Sequence, residues 1–201
     1  MSDLDNRDDL LWTFLLFSGY LKSVKKVDDE NYALAIPNRE VMKIYRGLIK
    51  TWFTKNVASN RLKEMLTALE NGDVALFERH LRTVVKRVMS YHDFSGEPEK
   101  VYHALVLGML VWLSGKYEIK SNRESGYGRY DLALKPNDPQ KQGIILEFKL
   151  VEEKGKGAPE KTLDEALNQI EARQYETEMI AAGVNDILKL AIAFKGKELW
   201  V

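Results

Sequence analysis

The stretch from Gly128 to Leu150 constrains the fold of this 201-residue chain more than any other. It reads GRYDLALKPNDPQKQGIILEFKL. Residues 130–134 alternate bulky and small side chains, and residues 144–150 are mostly apolar and β-branched or aromatic, so both segments favour strands. Two prolines, an asparagine, an aspartate and a glycine within residues 136–143 favour a turn between them. The stretch therefore predicts two neighbouring strands joined as a hairpin.

The second of these strands carries an acid and a base among apolar side chains. Successive residues of a strand point to opposite faces, so Glu147 and Lys149 share one face. The apolar residues that we expect to enter a core from the other face are Leu146, Phe148 and Leu150. An acid and a base on such a strand are costly to bury unless they are paired or bound to a cation. Asp131, in the partner strand, brings a second carboxylate to the same end of the sheet.

Two carboxylates and a lysine in this arrangement suit metal-dependent phosphodiester chemistry. Asp131 and Glu147 supply the hard oxygen ligands that Mg²⁺ prefers. Lys149 can orient or help to deprotonate a water molecule and can stabilise charge in the transition state. The alternative is an ordinary strand pair, in which Glu147 and Lys149 form a salt bridge and bind no metal.

Several segments together carry a resemblance to a known family. They are Asp131 followed by Glu147-Phe148-Lys149, RESGYGRYD at 123–131, YHALVLG at 102–108, ALNQIEARQY at 166–175 and KGK at 195–197. This set resembles the PD-(D/E)XK nuclease superfamily, and within it the bacterial branch whose nuclease-like domain follows an AAA-type ATPase-like domain. The resemblance implies an α/β fold of the restriction-endonuclease-like kind, with a mixed central sheet flanked by helices.

The resemblance also implies a function and partners. It implies a nuclease that hydrolyses phosphodiester bonds in DNA with Mg²⁺ or Mn²⁺, using Asp131 and Glu147 as metal ligands and Lys149 as base or electrostatic helper. The alternative is a catalytically inactive module with the nuclease fold that binds or regulates and works with an AAA-type ATPase partner.

Two residues near the start of the nuclease-like part are further candidates. Glu99 opens a predicted helix, and an acid at this place in the superfamily can join the metal site, sometimes through water, with Glu97 behind it. A glutamate here also favours the helix dipole, whatever else it does. His103 matches the family's Tyr-His pair and is either a residue at the site or a hydrogen-bonded core histidine.

Gln169 and Tyr175 match the family's glutamine-to-tyrosine pattern, in which the glutamine lies near the catalytic lysine, so the resemblance implies that Gln169 positions Lys149 or the phosphate. Both fall in a helix that we predict over residues 162–181, where Tyr175 lies on another side from Gln169. Arg123 lies in a glycine-containing loop predicted over residues 121–128, and Arg129 directly follows it. These arginines either meet phosphate or form an ion-pair brace with Glu124.

The rest of the chain sets limits on domain organisation. Residues 1–95 are predicted to be mostly helical, and their helix, strand, helix order resembles the C-terminal end of an AAA-type ATPase-like domain. They contain no G-x-x-x-x-G-K-[ST] loop, which is the sequence signature of a phosphate-binding site. Residues 96–201 are the predicted nuclease-like domain, so we expect the domain boundary between residues 95 and 96.

The composition of the chain indicates in which compartment it works and which partners it can bind. The 30 acidic and 30 basic residues balance, so no global basic charge supports nucleic-acid binding, and a local groove has to provide it. Cysteine is absent, which excludes disulfides, thiolate nucleophiles and zinc-thiolate sites. No signal peptide and no apolar run long enough to span a bilayer is evident in the sequence. We therefore expect a cytoplasmic protein without a membrane partner.

Overall fold

The structure is a computed structural model that describes residues 7–28, 31–57, 59–90, 98–152 and 157–201. The chain divides into two compact units, Met1–Ile49 and Lys50–Val201. The predicted domain boundary between residues 95 and 96 lies outside the described residues and stays a prediction. The predicted support of Glu99 by Glu97 lies outside them as well.

The first unit is built from helices and one small hairpin. Its elements are α1 (Arg7–Phe17), β1 (Lys22–Lys26), β2 (Tyr32–Ala35) and the start of α2 (Arg39–Asn56), which continues into the second unit. The strands β1 and β2 pair antiparallel. Asn38 caps the start of α2, because its side-chain oxygen accepts the N–H of Val41 at 2.9 Å. Within the described ranges, no helix is long and apolar enough to cross a membrane.

Three helices precede the sheet of the second unit. They are α3 (Ser59–Glu70), α4 (Val74–Val88) and α5 (Pro98–Leu110), and a short 3₁₀ turn at Val111–Leu113 follows α5. Asp73 caps α4 by accepting the N–H of Leu76 at 3.0 Å. The residues that α4 buries have helical spacing, namely Phe77, Leu81, Val84 and Val85.

A five-stranded mixed sheet forms the centre of the second unit. Its strands are β3 (Tyr117–Ser125), β4 (Gly128–Pro136), β5 (Gly143–Leu150), β6 (Ile187–Lys195) and β7 (Glu198–Trp200), and they lie in sequence order. Only β5 and β6 pair in parallel, and the connection between them contains α6 (Ala158–Ala172) and α7 (Thr177–Ala181). This architecture confirms the predicted α/β fold with a mixed sheet flanked by helices, and the N-terminal region is largely helical as predicted.

Strand β5 is the central strand, and helices cover both of its faces. Every residue from 143 to 148 is buried. On one face the ring of Phe148 meets that of His103 from α5, with 5.8 Å between ring centroids. On the other face Ile145 belongs to the same buried cluster as Ile170 of α6. Burial on both faces explains why the segment is almost continuously apolar.

A long-range contact fastens α5 to the far end of the sheet. The hydroxyl of Tyr102 donates to the backbone oxygen of Gly196 at 2.6 Å. Its ring stacks on Phe194 with 4.1 Å between centroids. Tyr102 is fully buried, so this contact fixes the helix that carries Glu99 and His103 against the β6–β7 turn.

Two predictions of local structure are wrong. The segment 121–128 is not a loop but the end of the β3–β4 hairpin, whose turn lies at Gly126 and Tyr127. The helix predicted over residues 162–181 is interrupted after Ala172, where Gln174 adopts a positive φ of 51°.

These two corrections share one physical cause, because the hairpin turn packs directly against the helix break. The N–H of Tyr127 donates to the backbone oxygen of Arg173 at 2.7 Å. A Cβ built on Gly126 would lie only 2.2 Å from that same oxygen. The N–H of Tyr127 can therefore bond the free carbonyl of Arg173 at the helix end only if position 126 is a glycine.

The Gly126 contact gives a stability prediction. Gly126→Ala should destabilise the protein by about 1–3 kcal/mol, because the new Cβ meets backbone oxygens that cannot rotate away and because the positive φ disfavours alanine. The control is Gly115→Ala, where a built Cβ meets no atom within 4 Å, so its effect should stay within about 0.5 kcal/mol. Chemical denaturation measures both, and equal stability of the two variants would contradict the packing argument.

Candidate active site

The register between β4 and β5 brings the two predicted carboxylates together. Leu132 lies opposite Leu146, and the next opposed pair along the strands would be Asp131 and Glu147. The regular ladder stops at this point. Instead, the N–H of Phe148 donates to the side-chain oxygen Oδ2 of Asp131 at 2.9 Å. The carboxylate of Asp131 is thereby fixed beside the residue that follows Glu147.

The carboxyl group of Glu147 is buried but only half satisfied. Its relative exposure is 2%. One oxygen, Oε1, accepts from the amide Nε2 of Gln169 at 2.5 Å and lies 3.5 Å from the ammonium Nζ of Lys149. The other oxygen, Oε2, is buried and has no hydrogen-bond partner in the part of the chain that the structure describes. Such a buried acceptor is unusual and requires a ligand or a proton.

Burial, followed by the negative charge of Asp131, raises the pKa of Glu147, which reaches about 7. The nearby Lys149 acts in the opposite direction and lowers the pKa. The environment therefore disfavours two ionised carboxylates side by side unless additional positive charge is present. A divalent cation would supply that charge.

The donor set fits a magnesium-like ion. Over the described residues, no group of three or more His, Cys, Asp or Glu side chains is placed to hold a metal ion. Mg²⁺ needs no such cage, because it is usually bound by one or two carboxylates and keeps several waters. Asp131 and the unpartnered oxygen of Glu147 supply that minimum, whereas the nitrogen and sulfur ligands typical of structural zinc are not gathered here.

Glu99 lies at the end of β5 rather than among these ligands. Its Oε1 accepts the N–H of Leu150 at 3.2 Å. Glu99 and Lys149 both line a cleft of about 270 Å³, together with residues of α6. The structure thus places Glu99 in the same cleft as Lys149. Its role as a metal ligand, directly or through water, stays a prediction.

Gln169 and Tyr175 form one network with Glu147. The amide Nε2 of Gln169 donates to Tyr175 Oη at 3.0 Å as well as to Glu147. On a continuous helix Tyr175 would lie on another side, as the sequence predicts. The interruption after Ala172 instead returns the tyrosine ring toward Gln169, and Tyr175 is buried.

His103 holds the backbone of a predicted metal ligand. Its Nε2 lies 3.2 Å from the backbone oxygen of Asp131 and 3.0 Å from Ser121 Oγ. A carbonyl oxygen only accepts, so the contact with Asp131 requires the proton on Nε2. His103 therefore contacts the site through the main chain of Asp131. This position combines features of both predicted alternatives, a residue at the site and a hydrogen-bonded core histidine.

Arg123 and Arg129 lie on the β3–β4 hairpin, and both are exposed. The register places Glu124 opposite Arg129. Even so, no ion pair joins Glu124 to either arginine within the described part of the chain. The geometry thus provides two exposed guanidinium groups without the predicted brace. Their role in binding phosphate stays a prediction.

Sequence reasoning missed the polar groups that support the site. Ser121 lies beside His103, and the hydroxyl of Ser125 donates to the backbone oxygen of Tyr175 at 2.9 Å. The Nη1 of Arg173 donates to the backbone oxygen of Tyr127 at 2.9 Å. The two glycines in GYG were the only available signal for the hairpin turn. No local sequence pattern marks the helix break after Ala172, which the hairpin turn contacts.

Comparison with known protein families gives a match to the second unit. The profile of the PD-(D/E)XK nuclease superfamily matches residues 97–201, which include α5, the whole five-stranded sheet and the candidate site residues. Searches of curated proteins and of solved structures gave no significant match.

The pKa of Glu147 predicts how stability depends on pH. A pKa raised from 4.5 to about 7 means that the folded state holds a proton which the unfolded state releases above pH 4.5. The group therefore favours folding fully below pH 4.5, and this contribution is lost as the pH rises to 7. Without metal, Glu147→Gln should raise stability at pH 8 by about 1–3 kcal/mol and change it little at pH 4.

The matched control is Asp164→Asn, which removes an exposed carboxylate from α6. Its effect should be small at both pH values. Urea denaturation at pH 4 and pH 8 in the presence of a chelator provides the measurement. A destabilised Glu147→Gln at pH 8 would mean that the ion pair with Lys149 outweighs the cost of burial.

Proposed function

Because the chain belongs to the PD-(D/E)XK nuclease superfamily, we propose that it is a nuclease that hydrolyses phosphodiester bonds in DNA with Mg²⁺ or Mn²⁺. Members of this superfamily are usually nucleases and generally use divalent metals. The observation that carries the proposal is the buried, unpartnered oxygen of Glu147 next to Asp131. A cation would stabilise a site of this charge and geometry, whereas a purely structural strand pair would gain nothing from one.

In this proposal the two carboxylates bind the ion. A bound Mg²⁺ would lower the pKa of a coordinated water and neutralise charge on the phosphate. Asp131 is held for that role by the N–H of Phe148, and Glu147 is held by Gln169, which occupies Oε1 and leaves Oε2 available. Both ligands are thus oriented by the protein before any ion arrives, which favours binding.

Lys149 lies at the boundary between the buried carboxylate and the open cleft. Its side chain is 35% exposed, while its ammonium is 3.5 Å from Glu147 Oε1. From this position the ammonium can donate to the attacking water or to a phosphate oxygen and stabilise the negative charge that develops there. In its neutral form it would accept the proton of the water, which is the role of a general base.

The alternative is a catalytically inactive module that keeps the nuclease fold. It would bind or regulate, and would work with an AAA-type ATPase, as the resemblance of residues 1–95 to the end of such a domain suggests. The ion pair between Lys149 and Glu147 favours this alternative, because it already compensates part of the buried charge without metal.

Substitution of the three central residues separates the two functions. Asp131→Asn and Glu147→Gln should each abolish Mg²⁺-dependent cleavage and weaken Mn²⁺ binding, since each removes a charged ligand. Lys149→Ala should bind Mn²⁺ at least as well as the wild type, because a nearby positive charge is gone, yet lose about 10²–10⁴-fold in rate. Cleavage of plasmid and linear DNA, together with calorimetric Mn²⁺ titration, gives both readouts.

Two exposed residues of α6 provide the controls for this series. Lys161→Ala removes another lysine from the cleft that Lys149 lines, and Asp164→Asn removes an exposed carboxylate of α6. Both should retain cleavage and metal affinity. A wild-type protein whose melting temperature is unchanged by Mn²⁺ and that cleaves no DNA would support the inactive module instead.

Gln169 should affect the rate more than metal affinity. Gln169→Ala removes the donor that holds Glu147 and leaves both charged ligands in place, so cleavage should fall by at least about tenfold. The affinity for Mn²⁺ should change less than the rate. Gln140→Ala, at an exposed amide of the β4–β5 connection, is the control. An equal loss of Mn²⁺ affinity and rate in Gln169→Ala would show that the amide acts mainly by supporting the metal ligand.

A further inference from the structure

The turn of the β3–β4 hairpin presents one exposed aromatic ring. Tyr127 lies between Gly126 and Gly128 and is 72% exposed. Its ring is in none of the aromatic contacts found among the described residues. Isolated exposed apolar side chains are common on protein surfaces and by themselves carry no functional meaning. What distinguishes Tyr127 is the way in which its backbone is held.

The main chain on both sides of this ring is fixed to the helix break. Tyr127 donates its N–H to the backbone oxygen of Arg173 at 2.7 Å and accepts from Arg173 Nη1 at 2.9 Å. Ser125, two residues earlier, donates to the backbone oxygen of Tyr175. The turn therefore presents its ring on an ordered backbone, so a ligand that binds there would not have to order a loop first.

The hairpin that carries the ring also carries two exposed arginines. Arg123 and Arg129 lie on the two strands of the same hairpin and are exposed, and neither forms an ion pair with Glu124 in the described part of the chain. An aromatic face combined with arginines suits a nucleic-acid strand, because bases stack on the ring while guanidinium groups meet the phosphates.

The hairpin is also connected to the candidate metal site. Asp131 lies in β4, four residues after Tyr127 of the turn. Four residues span about 13 Å along an extended strand. A second connection runs from Ser125 through Tyr175 to Gln169, which holds Glu147. A nucleotide at Tyr127 would thus lie only a few nucleotides from a phosphate at the carboxylates.

We propose that Tyr127 stacks on an unpaired base of the DNA, so that the preferred substrates carry a single-stranded segment next to the position of cleavage. This inference rests on the proposed nuclease function and specifies its substrate class. Bases inside an intact duplex present their faces to neighbouring bases, so an exposed ring on a hairpin can stack only on a base at an end, in a single-stranded arm or in a melted segment.

The test is equilibrium binding of the full chain to labelled DNA in the presence of a chelator, so that no hydrolysis occurs. Three probes are compared: a blunt duplex, the same duplex with a single-stranded oligothymidine arm, and the same arm built from abasic residues. The wild type should bind the thymidine arm about tenfold more tightly than the blunt duplex, in line with alanine substitutions at stacking aromatics. The abasic arm should lose this gain.

Substitutions at position 127 complete the test. Tyr127→Ala should remove the preference for the thymidine arm and should bind the abasic arm as the wild type does, whereas Tyr127→Trp should retain the preference. Tyr32→Ala, at an exposed tyrosine of β2, is the control and should leave all affinities unchanged. Melting temperatures check that each variant is folded, which is expected because the contacts of Tyr127 that hold the turn are made by its backbone.

Equal binding of blunt and armed duplexes by the wild type, or an unchanged preference in Tyr127→Ala, would overturn the proposal. So would failure to bind any of the probes. Cleavage assays with Mg²⁺ keep this result separate from the proposed function. A protein that cleaves DNA without any dependence on Tyr127 would contradict only the stacking role, and one that binds through Tyr127 but never cleaves would contradict only the nuclease activity.

Discussion

The organisation of the second unit depends on a carboxylate in the centre of its sheet. Glu147 lies in the middle strand, with helices covering both faces, and is almost fully buried. Such a group is tolerated only when its surroundings compensate its charge or keep it protonated. Gln169 and Lys149 provide part of that compensation, and the oxygen Oε2 is left without a hydrogen-bond partner among the described residues. The unsatisfied oxygen of Glu147 is therefore a property of the folded sheet and not of the Glu-x-Lys pattern alone.

The helix break after Ala172 determines how the supporting groups are arranged. An uninterrupted helix would carry Gln169 near the carboxylate but would direct Tyr175 elsewhere. With the break, the tyrosine hydroxyl meets the amide of Gln169, and the freed carbonyl of Arg173 meets the turn of the β3–β4 hairpin. A single backbone irregularity thus orders the hydrogen bonds around Glu147 on one side and the hairpin turn on the other.

The sequence was sufficient where local pattern and chemistry agree. Alternation and an apolar run identified β4 and β5. Asp131 and Glu147 could be paired because the turn between them suggested neighbouring strands. The contacts of Tyr175 and His103 could not be predicted in the same way. They depend on a helix break and on a strand register that are set by residues far apart in the chain, which no local propensity encodes.

The hydrogen bond between Tyr102 and Gly196 has a consequence for the order in which the parts of the protein fold during synthesis. The helix that carries Glu99 and His103 is fastened to the turn between β6 and β7, 94 residues further along the chain. During synthesis from the N terminus this fastening cannot form until residue 196 has been added, although both carboxylates of the candidate site are made well before then. Long sequence separations of this kind are closed late and slowly. A growing chain would therefore carry both carboxylates for a period before α5 is fastened to the β6–β7 turn.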